Sequence, residues 1–204
     1  MGGYPVPVAT VRIENEVSRS RFIATLANAD TVDAARHFIE SIRAEMPDAS
    51  HHVYAFKVGY GPSVTEGVSD DGEPTGTAGP PTLAVLRGAN VGDCVLVVTR
   101  YFGGTRLGTG GLVRAYGDAA RAVLAAMQTR QKIAFRQVGL TLPYSLYERA
   151  KLISAEYGAT VDEESFEVEV TLYLTIPADA VTPFSTAIQD LSAGRVTPTV
   201  LDER

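Results

Sequence analysis

VLVVTRYFGGTRLGTGGLVRAYGDAARAVLAAM, residues Val95–Met127, places an apolar run, a glycine-rich segment and an alanine-rich run in immediate succession. Val95–Val98 is continuous and mostly β-branched, the composition of a strand buried on both faces. From Leu112 the apolar positions Leu112, Val113, Tyr116, Ala119, Ala120, Val123, Leu124 and Met127 recur at helical spacing, and the helix is expected to run to about Arg130. Between them lie five glycines, Gly103, Gly104, Gly108, Gly110 and Gly111, which have no side chain to bury. A loop of this kind delivers backbone N–H groups to a helix N-terminus, an arrangement that grips anions. No acid occurs between Cys94 and Gly117, whereas Arg100, Arg106 and Arg114 do. Arg114 falls in the first turn of the predicted helix, where the macrodipole disfavours a cation by about 0.3–1 kcal/mol. An external anion or an internal carboxylate is therefore expected to meet it.

At 204 residues the chain has room for one large domain or two small ones. Its 45% hydrophobic and 21% charged content is that of a globular protein. The longest apolar run, Ala122–Met127, is far short of a membrane span, and MGGYPVPVAT carries no signal-peptide pattern. One cysteine, Cys94, excludes an intramolecular disulfide and fits a reducing cytoplasm; strand packing accounts for it better than nucleophilic chemistry. The net charge of −6 argues against indiscriminate coating of nucleic acid. It is unevenly spread: residues 1–134 carry 13 basic and 13 acidic side chains, residues 135–204 carry 5 and 11. An anion partner is expected to meet the first part.

Taken in order, the first ten residues, with two prolines and two glycines, read as a loose lead-in. Thr10–Glu16 and Ser20–Leu26 read as strands, the arginines of Ser18–Phe22 lying on a solvated edge. Asp30 or Thr31 caps a helix through Met46 that Pro47 ends. His51–Val58 is a strand with His51 and His52 on opposite faces, and Val64–Val68 is its hairpin partner. Ser69–Pro81, SDDGEPTGTAGPP, is neither helix nor central strand, and a short helix spans Thr82–Arg87. Beyond a boundary at 131–135 the pattern is strand Ile133–Leu142, a helix capped by Ser145 and Glu148, strands Ala159–Glu163 and Ser165–Ile176, a helix from Asp179, and strand Arg195–Leu201. Phe166, Val168 and Val170 are expected to point inward with the alternating residues that follow. The order βαββαβ is the ferredoxin-like split motif. The expected fold class is α+β, with domains at 1–133 and 134–204.

Three segments carry a family resemblance: Ser18–Phe22 with Ala49–His52, SDDGEPTGTAGPPTLAVL at 69–86, and VVTRYFGGTRLGTGGLVRAY at 97–116. Through them the chain resembles the YigZ/IMPACT family over nearly its whole length. The resemblance implies an N-terminal domain like the second domain of ribosomal protein S5 and the fourth domain of elongation factor G. It also implies a C-terminal ferredoxin-like domain similar to that factor's fifth. Eukaryotic relatives carry an extra N-terminal domain and help to control a stress kinase of translation initiation. About 17 residues precede the first family motif here, so that role is not expected to transfer directly. Relatives commonly have Cys-Trp after the paired histidines, where this chain has Val53-Tyr54.

Two constellations are candidates for function. Arg100, Gly103, Gly104, Arg106, Gly110, Gly111 and Arg114 form an expected anion or nucleic-acid site, with Tyr101 and Phe102 available for base stacking; the sequence is not a Walker A loop. Asp70, Asp71 and Glu73, with His51, form the other. They are either catalytic groups or the internal partners of Arg100 and Arg114, and a divalent metal is a further alternative to an expected absence of cofactors. The leading expectation is a translation-associated regulatory or binding protein of the cytoplasm that contacts RNA, the ribosome or a ribosome-associated protein and no membrane. The alternatives are an enzyme acting on a phosphorylated small molecule and a protein-interaction module without an anion site.

Overall fold

A computed structural model describes residues 3–61 and 63–201. The strands and helices of the first part are β1 (Gly3–Pro7), β2 (Val11–Val17), β3 (Ser20–Asn28), α1 (Val32–Glu45), β4 (His51–Tyr60), β5 (Ser63–Ser69), α2 (Gly79–Gly88), β6 (Cys94–Tyr101), α3 (Gly108–Ala126) and β7 (Thr129–Ile133). Those of the second are β8 (Phe135–Leu142), α4 (Tyr147–Glu156), β9 (Thr160–Phe166), β10 (Val170–Pro177), α5 (Val181–Leu191) and β11 (Thr199–Leu201). The chain is thus α+β and forms two compact units, one of Tyr4–Gln131 and one that takes in the described residues from Lys132 onward with Gly3.

The first unit is built on an antiparallel sheet of order β2-β3-β6-β4-β5. β6 lies at its middle, which is why its run is apolar on both faces. Leu96 and Val98 join Phe22, Val53 and Ala55 under α2 and α3, where Leu83, Leu86, Leu112, Tyr116 and Val123 meet them. Val95 and Val97 face the other way, against Ala35, Ile39 and Ile42 of α1. Thr31 caps α1, its side chain accepting from the Ala34 N–H at 3.0 Å.

Four expectations are corrected in this unit. Gly3–Pro7 is a strand paired with β7, not a loose lead-in. Ser18 and Arg19 form the tight turn between β2 and β3, both at positive φ, and β3 is an interior strand, so only Arg21 lies on a strand, ion-paired with Glu14 at 2.6 Å. Helix α2 begins at Gly79 with prolines in its first turn, where their missing N–H groups cost nothing. Helix α3 begins at Gly108, so Gly108, Gly110 and Gly111 belong to its first turn and Arg114 to its second. The macrodipole argument for a partner to Arg114 therefore lapses.

In the second unit the order β8-α4-β9-β10-α5-β11 builds an antiparallel sheet arranged β11-β8-β10-β9. Val138, Leu140 and Leu142 of β8 and Val170, Leu172, Leu174 and Ile176 of β10 share one face with Ala150 of α4 and Phe184 and Ile188 of α5. The turn comes at 167–169, later than expected, and leaves Phe166 and Val168 exposed rather than inward. A 3₁₀ turn at Tyr144–Leu146 leads into α4, which has no side-chain cap, so the Ser145 cap does not form. No helix among the described residues is long and apolar enough to cross a membrane.

Candidate functional site

The period of a strand brings the first residues of the site together. Arg100 of β6 lies opposite Phe22 on one side and His51 on the other, all three on the face that carries α3. The Arg100 guanidinium sits 5.4 Å from the ring centroids of both Phe22 and Phe102. Its Nη2 reaches Ser20 Oγ at 3.3 Å, and the same hydroxyl accepts the Gly103 N–H at 3.1 Å. A buried arginine needs a counter-charge, and Glu73 supplies it: Nη1 donates to Glu73 Oε1 at 2.6 Å, the two side chains being 6% and 3% exposed. Tyr116 of α3, fully buried, donates its hydroxyl to the same Oε1 at 2.7 Å, and His51 Nε2 lies 3.9 Å from it. Burial and the neighbouring carboxylate push the Tyr116 phenol well above its ordinary range, so it stays a donor.

The other two acids of the segment have structural work. Asp70 Oδ1 accepts the N–H groups of Ala78 and Gly79 at 3.0 and 2.8 Å and Oδ2 that of Gly76 at 2.8 Å, which fixes the loop against the start of α2. Asp71 Oδ2 accepts the His52 N–H at 2.6 Å and Oδ1 meets Arg43 Nη2 at 2.8 Å. Asp71 stands at φ 46° and Gly72 at φ 85°, and this double left-handed turn reverses the chain so that Glu73 points at Arg100.

Of the paired histidines, His51 faces the loop: its Nδ1 lies 2.8 Å from the Asp71 carbonyl. His52 faces α1, with Nε2 at 3.1 Å from the Met46 carbonyl and Nδ1 at 3.1 Å from Thr99 Oγ1. A carbonyl only accepts, so Nε2 carries the proton and Nδ1 takes the Thr99 hydroxyl. Burial holds the His52 pKa below its ordinary value.

The three arginines of the glycine-rich stretch therefore part company. Arg100 is buried on Glu73. Arg106 and Arg114 are exposed and form no ion pair among the described residues. Arg106 lines a cleft of about 280 Å³ with Glu73, Arg100, Phe102 and Thr109, while Arg114 lines a groove between α2 and α3 with Val85, Gly110 and Arg121. Between them the first turn of α3, Gly108–Gly110, is exposed, has no acid and has no side-chain cap. Gly103 has a different reason to be glycine: a Cβ there would lie 2.0 Å from the Arg19 carbonyl.

Sequence reasoning missed Tyr116, Ser20 and Phe22 as parts of this cluster. In the sequence Tyr116 reads as part of the helix's apolar face, and the usable signal is its hydroxyl, which a buried position obliges to find an acceptor. Among the described residues no group of three or more His, Cys, Asp or Glu side chains is placed to hold a metal ion. The buried Cys94 thiol, pushed up to about 12 by desolvation, is unreactive.

Residues 18–124 match the Impact N-terminal domain, and residues 140–195 match a domain of unknown function, DUF1949. A curated IMPACT family member of Escherichia coli, YigZ, is 38% identical over 204 residues, the whole of both chains. One from Haemophilus influenzae is 36% identical over 203 residues, 99% of this chain and 98% of its own. A crystal structure of a hypothetical protein, 38% identical, covers 100% of both chains with a TM-score of 0.72.

Proposed function

The chain belongs to the IMPACT family, and from that premise we propose that it is a translation-associated binding protein whose first unit docks a phosphate-rich partner, structured RNA or the ribosome. The observation that carries this reading is the start of α3. Its first turn is exposed, has no side-chain cap and no acid, and is flanked by Arg106 in one depression and Arg114 in another. Four N–H groups at a helix N-terminus have no partner within the helix, and the macrodipole adds partial positive charge. Two cations that form no ion pair among the described residues make a phosphate the natural occupant. Arg100 contributes from beneath by holding Phe102 and the acidic loop in place, its own charge being met by Glu73.

We read the first unit as like the second domain of ribosomal protein S5 and the second as ferredoxin-like; the order βαββαβ with sheet order β11-β8-β10-β9 supports the latter. Both likenesses suit a protein of the translation apparatus in the cytoplasm. The charge distribution supports a partner on the first unit, because the surplus of acid lies in residues 135–204.

The test is retention of ribosomal RNA fragments by the full chain across a salt series. Arg106→Ala with Arg114→Ala weakens binding and lowers the slope of log K against log salt by about 2, close to one counter-ion for each phosphate contact. Salt-independent binding, or none to RNA or ribosomes, overturns the reading.

A further inference from the structure

Glu73 holds more hydrogen-bonding capacity than the fold uses. Both hydrogen bonds that the described residues make to its side chain end on Oε1, from Arg100 and Tyr116; Oε2 accepts none, although the side chain is 3% exposed. Oε2 is not one of the buried polar side-chain atoms left without a partner among the described residues, so it is open to solvent, where a donor can reach it. The same carboxylate lines the cleft of about 280 Å³ whose other walls include Phe102, Arg106, Gly108 and Thr109.

Each wall asks for a different chemical group. A carboxylate oxygen takes a hydroxyl or an N–H donor and repels a bare phosphate. Arg106 and the exposed N–H groups of Gly108 and Thr109 take an anion. Phe102 is 50% exposed and has the Arg100 guanidinium 5.4 Å from its ring centroid, so its outer face is free for a flat ring. A donor hydroxyl, an anion and a flat ring within so small a space are the parts of a single nucleotide. A paired base in a duplex is not free to enter, so the nucleotide is an unpaired one.

We propose that this cleft takes one unpaired ribonucleotide: the ribose 2′-hydroxyl donates to Glu73 Oε2, the base stacks on Phe102, and the phosphate lies against Arg106 and the first turn of α3. The inference rests on the anion reading above and adds to it a discrimination between RNA and DNA. The nucleotide is supplied either by a loop or end of an RNA or by a free mononucleotide, and the same chemistry serves both.

Binding of the full chain is measured with matched single-stranded RNA and DNA oligonucleotides, and with AMP, dAMP and ribose 5-phosphate. The wild-type protein binds the ribo form about tenfold more tightly than the deoxy form, the worth of one hydrogen bond to a charged acceptor. Phe102→Ala, at an exposed position, stays folded and weakens the RNA oligonucleotide and AMP several-fold while leaving ribose 5-phosphate unchanged. Glu73→Gln keeps an amide oxygen for Arg100 and Tyr116 but replaces the charged acceptor Oε2 with a neutral NH₂ that can only donate to the 2′-hydroxyl, so it lowers the ribo preference several-fold; its melting curve verifies that it is folded. Equal affinity for ribo and deoxy ligands by the wild-type protein overturns the inference and leaves the phosphate grip standing. Ribo preference for AMP without oligonucleotide retention supports the cleft and overturns RNA docking. Ribose 5-phosphate binding as tightly as AMP overturns the base-stacking part, and no binding of any ligand overturns both readings.

Discussion

Three acids in four residues, Asp70, Asp71 and Glu73, have three different fates, and the physics that separates them is local. Asp70 serves backbone N–H groups, Asp71 serves the start of β4 and Arg43, and only Glu73 reaches the buried arginine. The sequence shows that acids and arginines occur near each other in the fold; it does not show which carboxylate meets which cation. That choice depends on the left-handed turn at Asp71 and Gly72, which periodicity does not report. The expectation that acids would neutralise both Arg100 and Arg114 thus holds for Arg100 alone. Asp70 gives a prediction at this scale. Burial raises its pKa, but bonds from Gly76, Gly79 and Ala78 outweigh that and leave the group below its ordinary value. Its folded pKa is depressed, so its contribution to stability is complete above the unfolded carboxylate value near pH ~4 and is lost as pH falls through the folded value. In urea unfolding followed from pH 7 to pH 2, Asp70→Asn is expected to be less stable at neutral pH by about 1–3 kcal/mol. That difference shrinks through the acid limb.

At the scale of elements, α3 and its approach show how one residue type serves two ends. The glycines of residues 103–111 look uniform in the sequence, yet Gly103 fits against the Arg19 carbonyl while Gly110 has open space around it and lies within a helix. Glycine's helix propensity, about 1 kcal/mol worse than alanine's, argues for a loop there. Burial of Leu112, Ala115 and Tyr116 one turn later outweighs it and draws the helix back to Gly108. The prolines of α2 misled for a related reason: they bar a helix interior but not its first turn. Paired substitutions separate the two glycine roles. Gly103→Ala is expected to destabilise by about 1–3 kcal/mol, because the clash is with backbone that has nowhere to go. Gly110→Ala is expected to stabilise by about 0.5–1 kcal/mol. Thermal unfolding of both variants checks the pair, and a neutral Gly103→Ala contradicts the packing described for the turn.

Across the whole molecule, the order of elements was legible because the continuous apolar run of β6, the 3.6-residue spacing of α1 and α3 and the alternation of β10 each appear clearly. The α+β class followed from that order and from the family segments. What escaped was long-range: β1 is a strand because β7, more than 120 residues later, pairs with it. Likewise the turn after β9 is set by its register with β10, not by its own acids. The uneven charge was legible as a number, and the structure adds that Arg106 and Arg114, both exposed and with no ion pair among the described residues, line depressions on either side of the start of α3 in the first unit. Whether this helix start holds a phosphate of an RNA partner is decided by following backbone amide resonances while a short RNA is titrated into the full chain. Saturable shifts of the Gly108, Thr109 and Gly110 amides are expected, reversed by added salt and absent from Thr160–Ile176. Shifts confined to other residues, or none at Gly108–Gly110 on saturation, contradict it.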